Sequence, residues 1–160
     1  MSEETVYIFD NVVSEDFLSF LRKEITNMKW DPHYTFKHEP STFFNCVTTN
    51  FISHQFLFNL FLKKYSLSYK TIRSYVNRYP KGTEGTMHPD DGDCTFLFFT
   101  DEWDKEYKGN LIFENNEKIE YKANRLVVFS AALKHKAEIN LADKMRHSIA
   151  WKTLKWKILT

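Results

Sequence analysis

Residues 77 to 90 read Asn77-Arg78-Tyr79-Pro80-Lys81-Gly82-Thr83-Glu84-Gly85-Thr86-Met87-His88-Pro89-Asp90. His88 and Asp90 are two residues apart, so on an extended segment both side chains leave the same face. One imidazole and one carboxylate on a common face make half of a metal site. The other half is His135, in FSAALKHKAEI at 129–139, which follows a second apolar, strand-like run. Two His and one carboxylate form the facial triad that suits non-heme Fe(II) and leaves coordination positions open. Open positions imply a chelating co-substrate and oxygen.

Composition alone produces a His-x-Asp pair in roughly one chain in three of this make-up, so the surroundings carry the weight. An alternation through Ile72, Ser74, Val76 and Arg78 runs into Tyr79 and breaks at Pro80-Lys81-Gly82. Beyond the pair, Thr95 to Phe99 is again strand-like. The order is strand, loop, His-x-Asp, strand.

Four stretches together, NRYPKGTEGTMHPDDGDCTFLFFTDEW (77–103), KGNLIF (108–113), NRLVVFSAALKHKAEI (124–139) and MRHSIAWK (145–152), resemble the 2-oxoglutarate and Fe(II)-dependent oxygenases. The similarity is greatest to the prolyl 4-hydroxylase-like branch and its small phage-type members, and it spans residues 72–152. It implies an α+β, mainly β fold, with a double-stranded β-helix (jelly-roll) core and N-terminal supporting helices. It also implies His88, Asp90 and His135 on iron, with 2-oxoglutarate and O2 as co-substrates and ascorbate as reductant. Arg146 would pair with the distal carboxylate of 2-oxoglutarate, Tyr79 would place its hydroxyl there, and Thr95 and Ser148 would be further donors. Prolyl 4-hydroxylases usually carry Lys in place of Arg146, and a GGET-type strand in place of Lys108-Gly109-Asn110-Leu111. Arg keeps the cation and adds a two-pronged donor. It also resembles the AlkB-type nucleic-acid dealkylases, as does the NRY-x-x-G approach at Asn77 to Gly82.

A chain of 160 residues is long enough for one core and short for two. We therefore expect one domain over 1–160, with helical support and a lid region in 1–68 and the jelly-roll core in 69–160. A formal net charge of +1 lacks the strong field of a dedicated nucleic-acid binder and favours a peptide or protein substrate. Cys46 and Cys94 have no secretory signal ahead of them, and there is no run of transmembrane length. The expectation is a reduced, cytoplasmic protein, in the host cytoplasm for a phage-type member.

Along the chain, Val6 and Ile8 suggest a strand, and Ser14 caps a helix that Phe17, Leu18, Leu21, Ile25 and Met28 carry to about Asn27. Residues 30–42 show no period and read as a long loop, a candidate substrate lid containing Tyr34. A second helix is expected over 53–64. Strands are expected over 70–79, 94–100, 109–114, 117–122, 125–130, 135–139 and 146–153, with a tight turn at Asn115-Asn116. Trp103 and Tyr107 would join Tyr34 in an aromatic rim suited to a peptide proline. Prolyl hydroxylation is the leading expectation. Base dealkylation and a non-catalytic, cupin-like binding module are the alternatives.

Overall fold

The computed structural model describes residues 5–30, 45–48 and 52–155. Tyr34, the expected lid beyond Trp30 and the Cys46 side chain lie outside the described residues.

Ser14 does cap the first helix, α1 (Glu15–Asn27): its Oγ accepts from the Phe17 N–H at 3.3 Å, and Glu15 and Asp16 occupy the first turn. Leu18, Leu21 and Ile25 form the buried stripe of α1, the spacing expected of a one-sided helix. The second helix, α2 (Ile52–Lys64), buries His54, Leu57, Phe58 and Phe61 and ends on Lys63 and Lys64. That basic end suits a helix C-terminus, and Lys64 Nζ also donates to Val12 O at 2.9 Å.

Among the described residues nine strands follow these helices or flank them: β1 (Tyr7–Asp10), β2 (Asn45–Thr48), β3 (Tyr69–Tyr79), β4 (Cys94–Phe99), β5 (Leu111–Phe113), β6 (Lys118–Ile119), β7 (Arg125–Ser130), β8 (His135–Ala137) and β9 (Arg146–Lys155). One antiparallel sheet has the order β1-β7-β4-β9-β3-β2 and the other β6-β5-β8. Residues 82–90 extend the smaller sheet by zipping along β8, with Gly85 N–H on Ala137 O at 2.9 Å and reciprocal His88 and His135 bonds at 3.1 and 3.0 Å. Two antiparallel sheets facing each other in this way make the expected jelly roll.

Alternation along the central strands divides the molecule into two compartments. Phe96, Phe98, Val76, Ile149 and Trp151 pack with the buried faces of α1 and α2. Fully burying each such large side chain contributes about 1.5–3 kcal/mol, so this helix-on-sheet layer anchors the larger sheet. The opposite faces of β3, β4 and β9 turn towards the smaller sheet, where Phe99, Leu111, Phe113, Tyr121, Val127 and Phe129 cluster. Cys94 belongs to the helical side: its thiol donates to Phe129 O at 3.1 Å, and burial pushes its pKa up to about 11.

Several boundaries differ from expectation. β5 and β6 are shorter than 109–114 and 117–122 because Lys108 and Gly109 take positive φ and because Tyr121 N–H bonds to Asn110 Oδ1 at 3.0 Å rather than to a strand. β9 runs on to Lys155, and β2, a four-residue edge strand, was not expected. Asn116 does adopt the left-handed conformation (φ 66) of the anticipated turn.

His54 is fully buried, and that burial lowers its pKa from 6.5 to about 4. The unfolded chain therefore binds a proton that the folded chain refuses between those values. Stability is expected to fall as pH drops from 6.5 towards 4, by up to about 3 kcal/mol from this residue. Urea melts at pH 7 and pH 5 should show the loss, and His54→Gln should shrink the pH-dependent part. An equal pH slope in that variant would assign it to other groups.

Candidate metal centre and cofactor cavity

His88 reaches the cavity from the segment zipped onto β8, and His135 is the first residue of β8 itself. Asp90 is held by its N–H on Ala131 O at 2.7 Å. The three residues offer ligand atoms that all lie within 4.8 Å of one another. His88 Nε2 is 3.7 Å from Asp90 Oδ1, and His135 Nε2 is 3.4 Å from Asp90 Oδ2. Two cis donors at about 2.1 Å from one ion sit about 3 Å apart, so a small contraction fits this set to a metal.

The outer contacts favour the same use. Nδ1 of His88 faces Thr86 O at 2.6 Å and Nδ1 of His135 faces Leu133 O at 3.0 Å. A proton on each Nδ1 satisfies those carbonyls and leaves an Nε2 lone pair turned inward. Burial lowers the His135 pKa to about 4 against the opposing pull of Asp90, which keeps the ring neutral and able to ligate. For Asp90, burial raises the pKa, but Lys152, His135 and Thr95 outweigh it and the net shift is downward.

From this cluster a cavity extends between the sheets, lined by inward-facing residues of β3, β4 and β9, with Leu111 and Ala137 from the smaller sheet. On β9 the lining residues are Arg146, Ser148, Ala150 and Lys152, every second residue, as a strand requires. Arg146 pairs in register with Tyr79, and Lys152 with Thr95. Six residues of strand at about 3.3 Å each separate the two cations by roughly 20 Å of backbone.

Arg146 is 4% exposed. Its Nη1 donates to Gly109 O, and its guanidinium carbon lies 4.3 Å from the centroid of the Tyr79 ring and 5.3 Å from that of Tyr121. Nε and Nη2 are buried without a hydrogen-bond partner among the described residues. A buried guanidinium with two unsatisfied donors is costly unless an anion completes it. Gly109, with φ 79, makes room: a Cβ there would sit 2.9 Å from Arg146 Cδ.

The remaining sequence candidates fall in different places. Ser148 lines the cavity beside Arg146. Thr95 does not share that end: its hydroxyl donates to Asp90 Oδ2 at 2.6 Å, which groups it with His88, Asp90 and His135 and not with Arg146. Trp103 packs on Tyr121 at 5.2 Å and donates through Nε1 to Lys108 O at 2.7 Å, with Tyr107 edge-on to it at 5.6 Å. Neither ring lines the cavity: Trp103 stands beside Gly109 and Tyr121, and Tyr107 is exposed. His147 points outside, with Nδ1 3.1 Å from Asp101 Oδ2. Lys152 lines the cavity as well, and Gly109 sits against Arg146. The period-2 count from Arg146 reaches Lys152, whereas nothing in the sequence announces the Gly109 cradle.

No protein-family model matches the sequence, and no curated protein matches it. By structure the chain is similar to HygX from Streptomyces hygroscopicus, solved with nickel and 2-oxoglutarate, at TM-score 0.75 and 8% identity over 95% of this chain and 85% of that one. It is also similar to the viral collagen prolyl hydroxylase vCPH from Paramecium Bursaria Chlorella virus-1, solved as a 2-oxoglutarate complex (TM-score 0.70, 14% identity, 92% and 94% of the two chains). A third is a Trichoplax adhaerens prolyl hydroxylase bound to a hypoxia inducible factor peptide fragment (TM-score 0.71, 16% identity, 91% and 82%). The chain is thus a double-stranded β-helix protein. Its fold is that of the 2-oxoglutarate and Fe(II)-dependent oxygenase structures, prolyl hydroxylases among them.

Proposed function

We propose that this chain is an Fe(II)- and 2-oxoglutarate-dependent dioxygenase that hydroxylates a C–H bond, with a prolyl residue of a peptide or protein as the substrate class. The observation that carries the cofactor assignment is Arg146, a buried cation with two unpartnered donors in the cavity that also holds the His-Asp-His cluster. The peptide assignment is supported by prolyl hydroxylases among the structural neighbours, one of them peptide-bound.

In this reading His88 Nε2, His135 Nε2 and one oxygen of Asp90 hold Fe(II), while Arg146 receives the distal carboxylate of 2-oxoglutarate and Tyr79 and Ser148 flank it. Iron and 2-oxoglutarate, when bound, would activate O2, one oxygen atom entering succinate as 2-oxoglutarate loses CO2 and the other going to the substrate C–H bond. The chain's own work is to bind, orient and keep dry. Leu97, Phe99, Leu111 and Ala150 wall the cavity between its two polar ends, and Arg146, stacked on Tyr79, is prevented from swinging out.

The test is succinate release from 2-oxoglutarate with Fe(II), ascorbate and oxygen, with and without proline-containing peptides. Peptide-stimulated succinate together with a 16 Da gain on the peptide is the expected result. Succinate without peptide modification would move the substrate to another class. No succinate at all would sink the enzyme reading and favour a binding module.

The Gly109 cradle gives a separable prediction. Gly109→Ala and Gly82→Ala both place a side chain at positive φ (79 and 81), but only at Gly109 would the new Cβ meet Arg146. Both should lose about 1 kcal/mol of stability or somewhat more. Only Gly109→Ala should weaken 2-oxoglutarate, by about tenfold, in anaerobic calorimetry. Equal binding by the two variants would detach Gly109 from the site.

A further inference from the structure

We propose that Lys152 is a positioning residue of the metal centre: it holds Oδ2 of Asp90, keeps that carboxylate turned towards the two imidazoles, and biases bound iron towards the ferrous state. This inference rests on the metal reading given above.

Lys152 is 2% exposed and projects into the cavity from β9. Its Nζ donates to Asp90 Oδ2, lies 3.4 Å from Thr95 Oγ1, and sits 5.5 Å from the centroid of the Tyr75 ring. Thr95 donates to the same Oδ2 at 2.6 Å. The two oxygens of Asp90 are therefore used differently. Oδ2 takes an ammonium and a hydroxyl and lies 3.4 Å from His135 Nε2, whereas Oδ1 lies 3.7 Å from His88 Nε2. Thr95 and Lys152 are register neighbours on β4 and β9, so the sheet itself fixes this clamp.

A cation on one oxygen of a ligating carboxylate acts through that ligand in two ways. It draws electron density from the metal–oxygen bond, and it repels the metal ion. Both effects weaken metal binding, and both weigh more heavily on Fe(III) than on Fe(II) because the repulsion scales with ionic charge. The arrangement gives up some iron affinity and keeps the bound ion reduced. Outer partners of metal ligands commonly tune a site in this manner.

Lys152→Met keeps an apolar stem and removes the charge. Lys152→Gln also removes the charge but keeps a donor for Asp90 and secures a folded comparison. The measurements are anaerobic Fe(II) titration and the midpoint potential of the one-electron Fe(III)/Fe(II) couple, poised with mediators at an electrode without 2-oxoglutarate. Both variants are expected to bind Fe(II) about tenfold more tightly or better and to show a lower midpoint potential than wild type. The Gln variant separates charge from hydrogen bonding. If Gln behaves as wild type while Met does not, a donor alone suffices and the charge role is overturned. Unchanged or weaker Fe(II) binding with an unchanged potential in folded variants would leave Lys152 a purely structural partner and overturn the inference alone. Failure of the wild-type protein to bind Fe(II) saturably would overturn the metal reading as well.

Discussion

His88→Ala is expected to abolish stoichiometric Fe(II) binding while the melting temperature of the metal-free protein stays within a few degrees of wild type. The His88 side chain is 43% exposed, so its removal opens little cavity and strands no buried charge. A site built on three donors should lose more from a missing ligand than the roughly 10- to 100-fold that outer partners command. His135→Ala should lose iron as completely but at a cost in stability, because that ring is 6% exposed and packs edge-on against Phe129 at 4.7 Å. Asp90→Ala confounds the two readouts, since it leaves Lys152 as a buried cation without its carboxylate; breaking such a pair costs about 3–5 kcal/mol. Anaerobic calorimetry with Fe(II), run beside circular dichroism melts, separates the cases. Wild-type iron affinity in His135→Ala would place the distal ligand elsewhere, and His147 is poorly placed to replace it because Asp101 already holds its ring.

The convergence of His88, Asp90 and His135 was legible in the sequence because its geometry is local. His88 and Asp90 share a face by spacing alone, and His135 follows a strand whose apolar run is unmistakable, so only one long-range contact had to be supplied. The helices were legible for a similar reason: Ser14 is a capping residue three positions before the N–H it accepts from, and Leu18, Leu21 and Ile25 repeat at helical spacing. Thr95 was misplaced because a threonine hydroxyl carries no information about which end of a cavity it serves. The register of β4 against β9 decides that, and it is a property of two strands more than 50 residues apart. Trp103 and Tyr107 do not line the cavity: beside the turn at Lys108 and Gly109, both at positive φ, Trp103 packs on Tyr121 and Tyr107 is exposed. Lys152 was visible only as a second cation on the Arg146 strand, and its role depends on the carboxylate that the fold brings to it.

Arg146→Ala is expected to weaken 2-oxoglutarate by roughly 30-fold to several thousand-fold while leaving Fe(II) affinity near wild type. Removing one partner of a desolvated charge pair costs on the order of 2–5 kcal/mol, and each 1.4 kcal/mol is a decade in affinity. Iron should be indifferent, because Arg146 lies six residues along β9 from Lys152, the residue that touches Asp90. Lys should rescue in part, keeping the charge and losing the fork. Tyr79→Phe should cost less than Ala at 146, since it keeps the ring over which the guanidinium stacks at 4.3 Å and removes only a hydroxyl, about 1.5–3 kcal/mol at most. The metal-free proteins offer a second readout. Arg146 buries two unsatisfied donors, a burden on the unliganded fold, so Arg146→Met, which fills much of the same space without charge, should melt no lower than wild type. Added 2-oxoglutarate should then stabilise wild type and not the Met variant, because a ligand raises stability only in proportion to its occupancy of the native state. Equal stabilisation of both proteins would remove Arg146 from the binding site and leave its buried guanidinium unexplained. A Met variant that melted well below wild type would make the Gly109 and Tyr79 contacts, not an absent carboxylate, the reason for an arginine at this position.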